Sequence, residues 1–262
     1  MDLGLKGKTV GITGAGSTEG IGFAIARAFL KEGAEVFLCD LNEEAVRKVE
    51  NELKQFGKVK AYVVNVADEK QVKDLFSQAL HDFGKIDVFI NNAGIYPQSA
   101  LQDMSVELWD RVMNVNLRSV FLCGLEAKKA MEKSGGVLIN ACSFAALIGS
   151  AGSGAYAASK SAVYSLTKTM AAEFAPFHIR VNGFIPGVIQ TGMTKEVIAQ
   201  RHDAMLSQIA LRRLGQPDDV AKAVLFLASE QSAYLTGTFI EVAGGKLCVQ
   251  NPDYGYAKWG IE

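Results

Sequence analysis

Residues 9–22 read TVGITGAGSTEGIG, a short apolar run with β-branched residues that passes directly into a glycine-rich loop. The amphipathic stretch that follows, to about residue 32, is typical of a helix. Glycines in such a loop let the backbone approach a pyrophosphate, and the free N–H groups and dipole of the next helix receive its charge. A tight turn without a ligand is the alternative, but the position at the first strand–helix junction favours a dinucleotide. The candidate contacts in this loop are Gly14, Ser17, Gly20, Ile21 and Gly22.

The rest of the chain repeats this alternation of short apolar runs and longer helical patterns. Several runs, such as residues 88–90 and 137–139, are apolar throughout, as expected of strands covered by helices on both faces. The pattern predicts an α/β fold, a single doubly wound Rossmann-type domain over residues 1–262 with a seven-stranded parallel sheet flanked by helices. Residues 187–215 form a candidate substrate loop, and residues 246–262 form a C-terminal tail. Strands are predicted near 8–13, 35–40, 59–64, 86–91, 136–142, 178–184 and 238–242, and helices near 20–32, 42–56, 68–83, 105–131, 155–175, 193–212 and 216–229.

Composition excludes several classes of partner. The 262 residues carry a formal net charge of −1, with the Lys and Arg residues spread along the chain, so no nucleic-acid partner is expected. No apolar run approaches the ~20 residues that a membrane helix needs, and the N-terminus lacks a signal-like pattern, so no membrane partner is expected. The cysteines are widely separated, which predicts no metal site and a reduced, cytoplasmic setting. They are Cys39, Cys123, Cys142 and Cys248.

The end of the second predicted strand indicates which dinucleotide binds. A carboxylate there, Asp40, can accept hydrogen bonds from both hydroxyls of an adenosine ribose and would repel a 2′-phosphate. Glu19 adds negative charge to the glycine loop, and neither Leu41 nor Asn42 is the arginine that a phosphorylated ribose needs. NAD is therefore predicted in preference to NADP. The alternative role for Asp40 is that of an ordinary N-cap of the next helix.

The pattern Tyr-x-x-x-Lys occurs three times, so context has to choose among the copies. Only Tyr156 has a serine thirteen residues upstream, Ser143, which follows a predicted strand and so lies at the edge where parallel sheets bind ligands. Lys160 lies one helical turn after Tyr156 on the same helix face. Its ammonium and a positive nicotinamide ring are expected to lower the pKa of Tyr156 from about 10 to about 7. The other two copies, interpreted as packing and as coincidence, are Tyr164/Lys168 and Tyr254/Lys258.

The motifs follow one another along the chain as Thr13-Gly14 through Gly20-Ile21-Gly22, Asn91-Asn92-Ala93-Gly94, Asn116, Ser143, Tyr156/Lys160 and Pro186-Gly187. In this order they resemble the motifs of the short-chain dehydrogenase/reductase family, over about residues 6–245. The resemblance implies that Tyr156 is the general acid/base and that Ser143 hydrogen-bonds the substrate oxygen. It also implies that Lys160 lowers the Tyr156 pKa and binds the nicotinamide ribose, while Asn116 helps to hold a water that relays protons outward.

The same resemblance implies further cofactor contacts around the adenosine and the nicotinamide carboxamide. For residues 91–94 the alternative is a plain turn that steadies the sheet. The chain departs from the family in spacing Gly14 and Gly20 by five residues instead of three, and in carrying Asn65 where an aspartate usually contacts adenine. A third departure is Ala243, which stands where an aspartate is common. The implied contacts outside the glycine loop are Asp40, Leu41, Asn65, Val66, Asn92, Ala93, Gly94, Tyr156, Lys160, Pro186, Gly187, Ile189 and Thr191.

The predicted activity is NAD-dependent transfer of a hydride between nicotinamide and a small-molecule secondary alcohol or ketone, such as a polyol, sugar or hydroxysteroid. A non-catalytic dinucleotide-binding scaffold or sensor is the alternative, but the intact catalytic set argues against it. An enoyl reductase is disfavoured because that class usually spaces its Tyr and Lys further apart. Substrate contacts are expected from Ile95, Tyr96, Phe144, Ala145, Leu147 and Met193.

Assembly is predicted from the helix near 155–175. Family relatives commonly form homotetramers through this helix, and the resemblance implies a homotetramer here. The aromatic tail is predicted to pack on a partner subunit or to cover the active site. Small residues that would permit close packing of the helix are Ala158, Ala162, Ala171 and Ala172.

Overall fold

A computed structural model describes residues 2–246 and 250–261. Met1, residues 247–249 and Glu262 lie outside the described residues, and with them Cys248 and part of the predicted tail. The strands are β1 (Thr9–Thr13), β2 (Glu35–Asp40), β3 (Val59–Val63), β4 (Val88–Asn91), β5 (Gly136–Ala141), β6 (Ile179–Pro186) and β7 (Phe239–Val242). They form one seven-stranded sheet in the order β3-β2-β1-β4-β5-β6-β7, with every neighbouring pair parallel. The predicted fold class is confirmed.

The position of β1 decides where a ligand can bind. Its register places Thr9 beside Glu35 of β2 on one side and Val10 beside Val88 of β4 on the other. The chain therefore winds outward from β1 in one direction and, from β4 onward, in the opposite direction. Such a switch in strand order opens a crevice at the carboxyl ends of the strands.

Helices cover both faces of the sheet, which explains the continuous apolar strands. On one face the helices at 21–31, 43–53 and 217–228 pack against residues such as Val36, Ile90 and Ile139. On the other face the helices at 69–83, 119–131 and 154–174 pack against Phe37, Phe89 and their neighbours. In the described part of the chain, no helix has the length and apolar character needed to cross a membrane. The helices are α1 (Ile21–Lys31), α2 (Glu43–Leu53), α3 (Glu69–Phe83), α4 (Val106–Met113), α5 (Ser119–Met131), α6 (Gly154–Phe174), α7 (Lys195–Leu206), α8 (Pro217–Ala228) and α9 (Tyr254–Trp259).

Two helical predictions differ from the structure. The stretch predicted as one helix, 105–131, is α4 and α5 joined by a π-helical turn at Asn114–Arg118. The helix predicted at 193–212 ends at Leu206. Hydrophobic periodicity detects the helical stretches, but it cannot detect the one-residue insertion that makes a π turn, a feature frequent at functional sites.

The described part of the tail packs on the segment that follows α7 in the same chain. The Tyr256 hydroxyl donates to the Ala210 carbonyl at 2.8 Å, and Asp253 pairs with Arg212 at 3.0 Å. These contacts place α9 behind the candidate substrate loop. Packing of the tail on a partner subunit stays a prediction.

A chain of buried polar side chains ties the centre of the sheet to α6. The Asn91 amide donates to Asn140 at 2.9 Å, Asn140 donates to the Thr167 hydroxyl at 2.9 Å, and Thr167 donates to the Val163 carbonyl at 2.7 Å. Asn140 and Thr167 are fully buried. Because an unpaired polar group is costly inside a protein, this chain fixes α6 at one height against β4 and β5.

Replacing Asn140 by leucine should therefore destabilise the fold strongly. Asn140→Leu keeps the branched shape of the side chain, but it leaves the Asn91 amide without its acceptor and the Thr167 hydroxyl without its donor, at a cost of roughly 2–4 kcal/mol in the free energy of unfolding. Urea denaturation followed by circular dichroism measures the change, and Asn51→Leu on the exposed face of α2 is the control. A loss below about 0.5 kcal/mol, within the usual range of surface substitutions, would contradict the structural role.

Candidate active site

The glycine loop is shaped for close approach of a charged ligand. Gly14 has φ +66°, and a Cβ placed there would lie 2.5 Å from the Cα of Ala93. Helix α1 begins at Ile21 after Gly20, with no capping side chain and no acidic residue in its first turn. Its first N–H groups and its positive dipole end are thus free to meet a pyrophosphate.

Asp40 holds the other side of this loop. Its carboxylate accepts from the Gly16 N–H at 2.8 Å and from the Asn42 N–H at 3.2 Å. The N-cap of α2 is Asn42, whose side chain accepts from Ala45, so the alternative role of Asp40 as that cap is wrong. An ionised carboxylate offers about four acceptor positions, so both ribose hydroxyls can still bind.

The turn after β4 steadies the end of β1. The Thr13 hydroxyl accepts from the N–H groups of Asn92 and Ala93, each at 3.0 Å, and the Asn92 amide donates to the carbonyls of Thr13 and Gly14. These bonds agree with the alternative of a sheet-steadying turn. The same turn also brings Asn92 and Gly94 into the wall of the cleft beside the glycine loop. The motif therefore both steadies the sheet and lines the cleft.

The predicted catalytic residues lie at the carboxyl edge of the sheet. Ser143 follows β5, and its hydroxyl accepts from the Ala145 N–H at 3.1 Å. Tyr156 lies in the first turn of α6, and Lys160 follows one turn later. The Lys160 ammonium donates to the Ala141 carbonyl at 2.9 Å and lies 5.8 Å from the centre of the Tyr156 ring.

Asn116 lies in the π-helical turn and is fully buried. Its Oδ1 accepts from the Ile95 N–H at 2.8 Å, while its Nδ2 donates to the Ile95 carbonyl and to the Ser159 hydroxyl. Both amide hydrogens are therefore used, and a proton-relaying water could bind only to an acceptor of Asn116. In the structure the side chain joins the segment after β4 to α6.

Burial sets the ionisation of the central pair. It lowers the pKa of Lys160 to about 8, since its ammonium is removed from water. It raises the pKa of Tyr156 to about 12, and a hydrogen bond with Ser143 opposes this only in part. Burial of the phenolate therefore dominates in the protein alone, and the lowered Tyr156 pKa expected with the positive nicotinamide ring present stays a prediction. At neutral pH the phenol holds its proton.

The lowered pKa of Lys160 predicts how stability depends on pH. Between about pH 8 and 10.5 the unfolded chain holds a proton on Lys160 that the folded protein lacks, so stability rises with pH in this window. Relative to Lys160→Met, the wild type should gain roughly 2 kcal/mol in free energy of unfolding between pH 7 and 9.5. Urea denaturation of both proteins at the two pH values measures this difference, from which the other groups cancel. If the stability of the two proteins changed in parallel with pH, the lowered pKa of Lys160 would be contradicted.

Two cavities meet at Tyr156. The larger, the cofactor cleft, has a volume of about 400 Å³ and runs from Asp40 past the glycine loop to Lys160. The smaller, the substrate pocket, has a volume of about 150 Å³ and is mostly apolar. Both cavities include Ile21, Tyr156, Pro186, Thr191 and Met193 in their walls. A molecule in the substrate pocket and a molecule in the cofactor cleft would therefore both lie beside the Tyr156 side chain.

Most of the predicted cofactor contacts line the cofactor cleft. Gly187 and Ile189 line the substrate pocket instead. Leu41 and Asn65 do not line the cleft. Leu41 is largely exposed, and the Asn65 side chain accepts a hydrogen bond from the Ala67 N–H. Gly22, Val66 and Ala93 also lie outside the walls of the cleft. The cleft brings together Gly14, Ser17, Gly20, Ile21, Asp40, Asn92, Gly94, Tyr156, Lys160, Pro186 and Thr191.

The structure also adds residues that the sequence did not single out. Gly16 lines the cleft. A Cβ placed there would lie 2.6 Å from the Asp40 carboxylate carbon, so this position requires glycine. Cys142 and Phe184 line it from the strand ends, where position alone was the available signal. Of the expected substrate contacts, Tyr96, Phe144, Ala145 and Met193 line the pocket, whereas Ile95 and Leu147 do not.

Another cavity, of about 420 Å³, opens at the amino edge of the sheet and contains several charged groups. Three of them, Lys8, Asp87 and Arg180, already have partners within the protein. The Arg180 guanidinium donates to the carbonyls of Leu227, Ser229 and Leu235, and Asp87 pairs with Lys8. None of the predicted catalytic residues lines this cavity, so the chemistry belongs to the carboxyl edge.

Comparison with known proteins places the fold and the site in one family. The model of a family described as enoyl-(acyl carrier protein) reductase matches residues 14–246. A solved short-chain type dehydrogenase/reductase from Mycobacterium marinum is 35% identical, with a TM-score of 0.90, over 95% of this chain and 99% of that chain. The chain belongs to the short-chain dehydrogenase/reductase family.

The names of two further relatives indicate which reactions members of this family catalyse. The 3-oxoacyl-[acyl-carrier-protein] reductase FabG of Thermotoga maritima is 41% identical, over 92% of this chain and 98% of that protein. The structure of an NAD⁺-bound xylitol dehydrogenase is 30% identical, with a TM-score of 0.87, over 92% of this chain and 99% of that chain. Both names describe interconversion of a carbonyl group and an alcohol, and this chain is an oxidoreductase of the same family.

Proposed function

We propose that the protein catalyses reversible hydride transfer between the nicotinamide of NAD and a small secondary alcohol or ketone. The observation that carries this proposal is the position of Tyr156 in the walls of both cavities. A carbinol in the substrate pocket would have the phenol and Ser143 on its oxygen side and the cofactor cleft on its carbon side. When bound, the cofactor supplies the acceptor or donor of hydride.

Each residue of the set has a separate task. In reduction, Tyr156 donates its proton to the carbonyl oxygen as the hydride reaches the carbon, so no free alkoxide accumulates. Ser143 holds that oxygen by a hydrogen bond, and Lys160 supplies positive charge beside the phenol. In oxidation the same phenol receives the hydroxyl proton, which requires the charge of Lys160 and of the oxidised nicotinamide to offset its burial.

The alternatives are less well supported. A non-catalytic dinucleotide-binding scaffold has no need of a buried lysine at hydrogen-bond distance from a strand end beside a phenol, because burying that charge is costly. The matching family model is described as an enoyl reductase, but the four-residue spacing of Tyr156 and Lys160 favours a carbonyl or alcohol substrate. The name of the Thermotoga maritima relative, a 3-oxoacyl reductase, supports the same choice.

The preference for NAD is proposed from Asp40. Its carboxylate lines the cofactor cleft at the end of β2, where it would repel a 2′-phosphate. Among the residues that the structure describes, no arginine lines the cofactor cleft. The NAD⁺-bound xylitol dehydrogenase structure supports this choice by similarity.

Assembly as a cytoplasmic homotetramer is also part of the proposal. Exposed apolar side chains on α4 and α5, namely Trp109, Phe121 and Leu125, lie on the same side of the sheet as α6. Of the four alanines predicted to form the packing face of α6, Ala171 is buried in the core, so the small-residue face is narrower than the sequence indicated. The described cysteines are unpaired and buried, in keeping with a reducing compartment.

Removing the Tyr156 hydroxyl should abolish the chemistry. Tyr156→Phe is expected to lower turnover by at least about 100-fold, because a positioned acid or base contributes roughly 10²–10⁴-fold, while NADH binding is retained. NADH absorbance measures turnover, and NADH fluorescence titration measures binding. Tyr164→Phe is the matched control, since Tyr164 stacks on Phe239 with ring centres 4.4 Å apart and lies beside Lys168. Turnover of Tyr156→Phe within tenfold of the wild type would overturn the mechanism.

Removing the charge of Asp40 should relax the preference for NAD. In Asp40→Asn, the remaining carbonyl oxygen can still accept from the Gly16 N–H, so this variant isolates the loss of charge. The ratio of kcat/KM for NAD to that for NADP should fall by roughly tenfold or more, and Asp40→Ala should show at least the same fall. An unchanged ratio in both variants would remove Asp40 from recognition of the ribose. A change in Asp40→Ala alone would assign the effect to the shape of the glycine loop.

A further inference from the structure

A lysine packs against the wall of the substrate pocket, and no carboxylate among residues 2–246 and 250–261 pairs with it. The Lys246 ammonium lies 5.4 Å from the centre of the Phe144 ring, and Phe144 is part of the pocket wall. The same ammonium donates to the neutral Gln208 side chain at 2.5 Å. Lys246 is partly buried. A cation therefore packs against a residue of the pocket wall, and its hydrogen bond among the described residues is to a neutral amide.

Arg201 adds a second cation at this place. It lies within α7 at a kink, with φ −137° and ψ 23°, and its charge is close enough to Lys246 to help lower the pKa of that lysine, although burial contributes more. Within residues 2–246 and 250–261, neither cation has a carboxylate within 4.0 Å. Lys246 is thus a partly buried cation that an exposed second cation influences, and neither has a carboxylate partner among the described residues.

Neighbouring cations show that this is not general for the region. Arg212 pairs with Asp253 at 3.0 Å, and Arg213 pairs with Asp219 at 2.6 Å. Both of these arginines follow α7, so carboxylates do lie within reach of other cations in this part of the chain. Holding two unpaired cations together costs free energy that a bound anion would recover.

We propose that Lys246 and Arg201 bind an anionic group of the substrate, a carboxylate or a phosphate ester. The proposal rests on the proposed function and deepens it. The substrate is then a hydroxy acid or a hydroxyalkyl phosphate whose carbinol lies at Tyr156 and Ser143. The apolar walls at Phe144 and Met205 enclose the carbon chain between the two ends. A pocket of about 150 Å³ suits a chain of only a few carbons between the carbinol and the anionic group.

Kinetics with matched neutral and anionic alcohols test this assignment. The carboxylate pair is 3-hydroxybutanoate and its methyl ester, and the phosphate pair is glycerol 3-phosphate and 1-O-methylglycerol. In the wild type, kcat/KM should favour the anionic member of at least one pair. Lys246→Gln should reduce that preference by roughly 10-fold or more, and Arg201→Gln by about 3-fold, since a charge-assisted hydrogen bond is stronger where it is more buried.

Controls separate charge from structure. Lys246→Arg should restore most of the preference, and Lys133→Gln, an exposed lysine after α5, should leave both preference and activity unchanged. A preference that is the same in the wild type and in Lys246→Gln would overturn the proposal, as would a wild-type preference for the neutral member of both pairs. The pair that shows the effect identifies the anion as carboxylate or phosphate.

A binding measurement keeps the inference testable apart from the proposed function. Calorimetric titration of the protein with NADH present should show that inorganic phosphate or butanoate binds to the wild type and at least about 10-fold more weakly to the Lys246→Gln/Arg201→Gln variant. Inactivity toward every alcohol together with this binding difference would sink the proposed function alone. Activity toward neutral alcohols with no difference in anion binding would sink the anion site alone.

Discussion

Three buried polar side chains, Asn91, Asn140 and Thr167, join the two central strands to helix α6. Polar groups in the interior must find partners, and these find them only when α6 sits at one height and rotation against β4 and β5. Tyr156 and Lys160 lie on the first turns of that helix, so their positions at the sheet edge follow from the pairing. The geometry of the candidate site depends on a hydrogen-bonded chain whose side chains line neither of its two cavities.

A second constraint is the opposition between burial and charge at the site. Lys160 is buried against the Ala141 carbonyl, where its ammonium is less stable than in water, and the Tyr156 phenolate is equally disfavoured. The pair therefore rests near neutral pH as a phenol beside an easily deprotonated lysine. Such a site is poised to give a proton to a carbonyl oxygen and needs an added positive charge before it can take one.

The sequence predicts the fold and the membership of the site well, because strand periodicity and the spacing of Ser143, Tyr156 and Lys160 are local properties of the chain. It predicts less where distant segments meet. The bond from Gly16 to Asp40, the π turn that carries Asn116 and the burial that raises the Tyr156 pKa each depend on packing between elements far apart in sequence. Lys246 has no recognisable motif, and its position beside Phe144 emerges only from the folded chain.

The docking of α9 has a practical consequence for anyone who prepares this protein. The Tyr256 hydroxyl and the Asp253 carboxylate hold residues 210–212, which follow α7, and α7 contributes Met205 to the wall of the substrate pocket. The first described residues pack instead at the amino edge of the sheet, where Gly7 bonds Gly33 and Lys8 pairs with Asp87. A purification tag fused before Gly7 would therefore lie at the amino edge of the sheet, on the opposite side from Tyr156 and Ser143. A tag fused behind α9 would instead act on the contacts that hold residues 210–212.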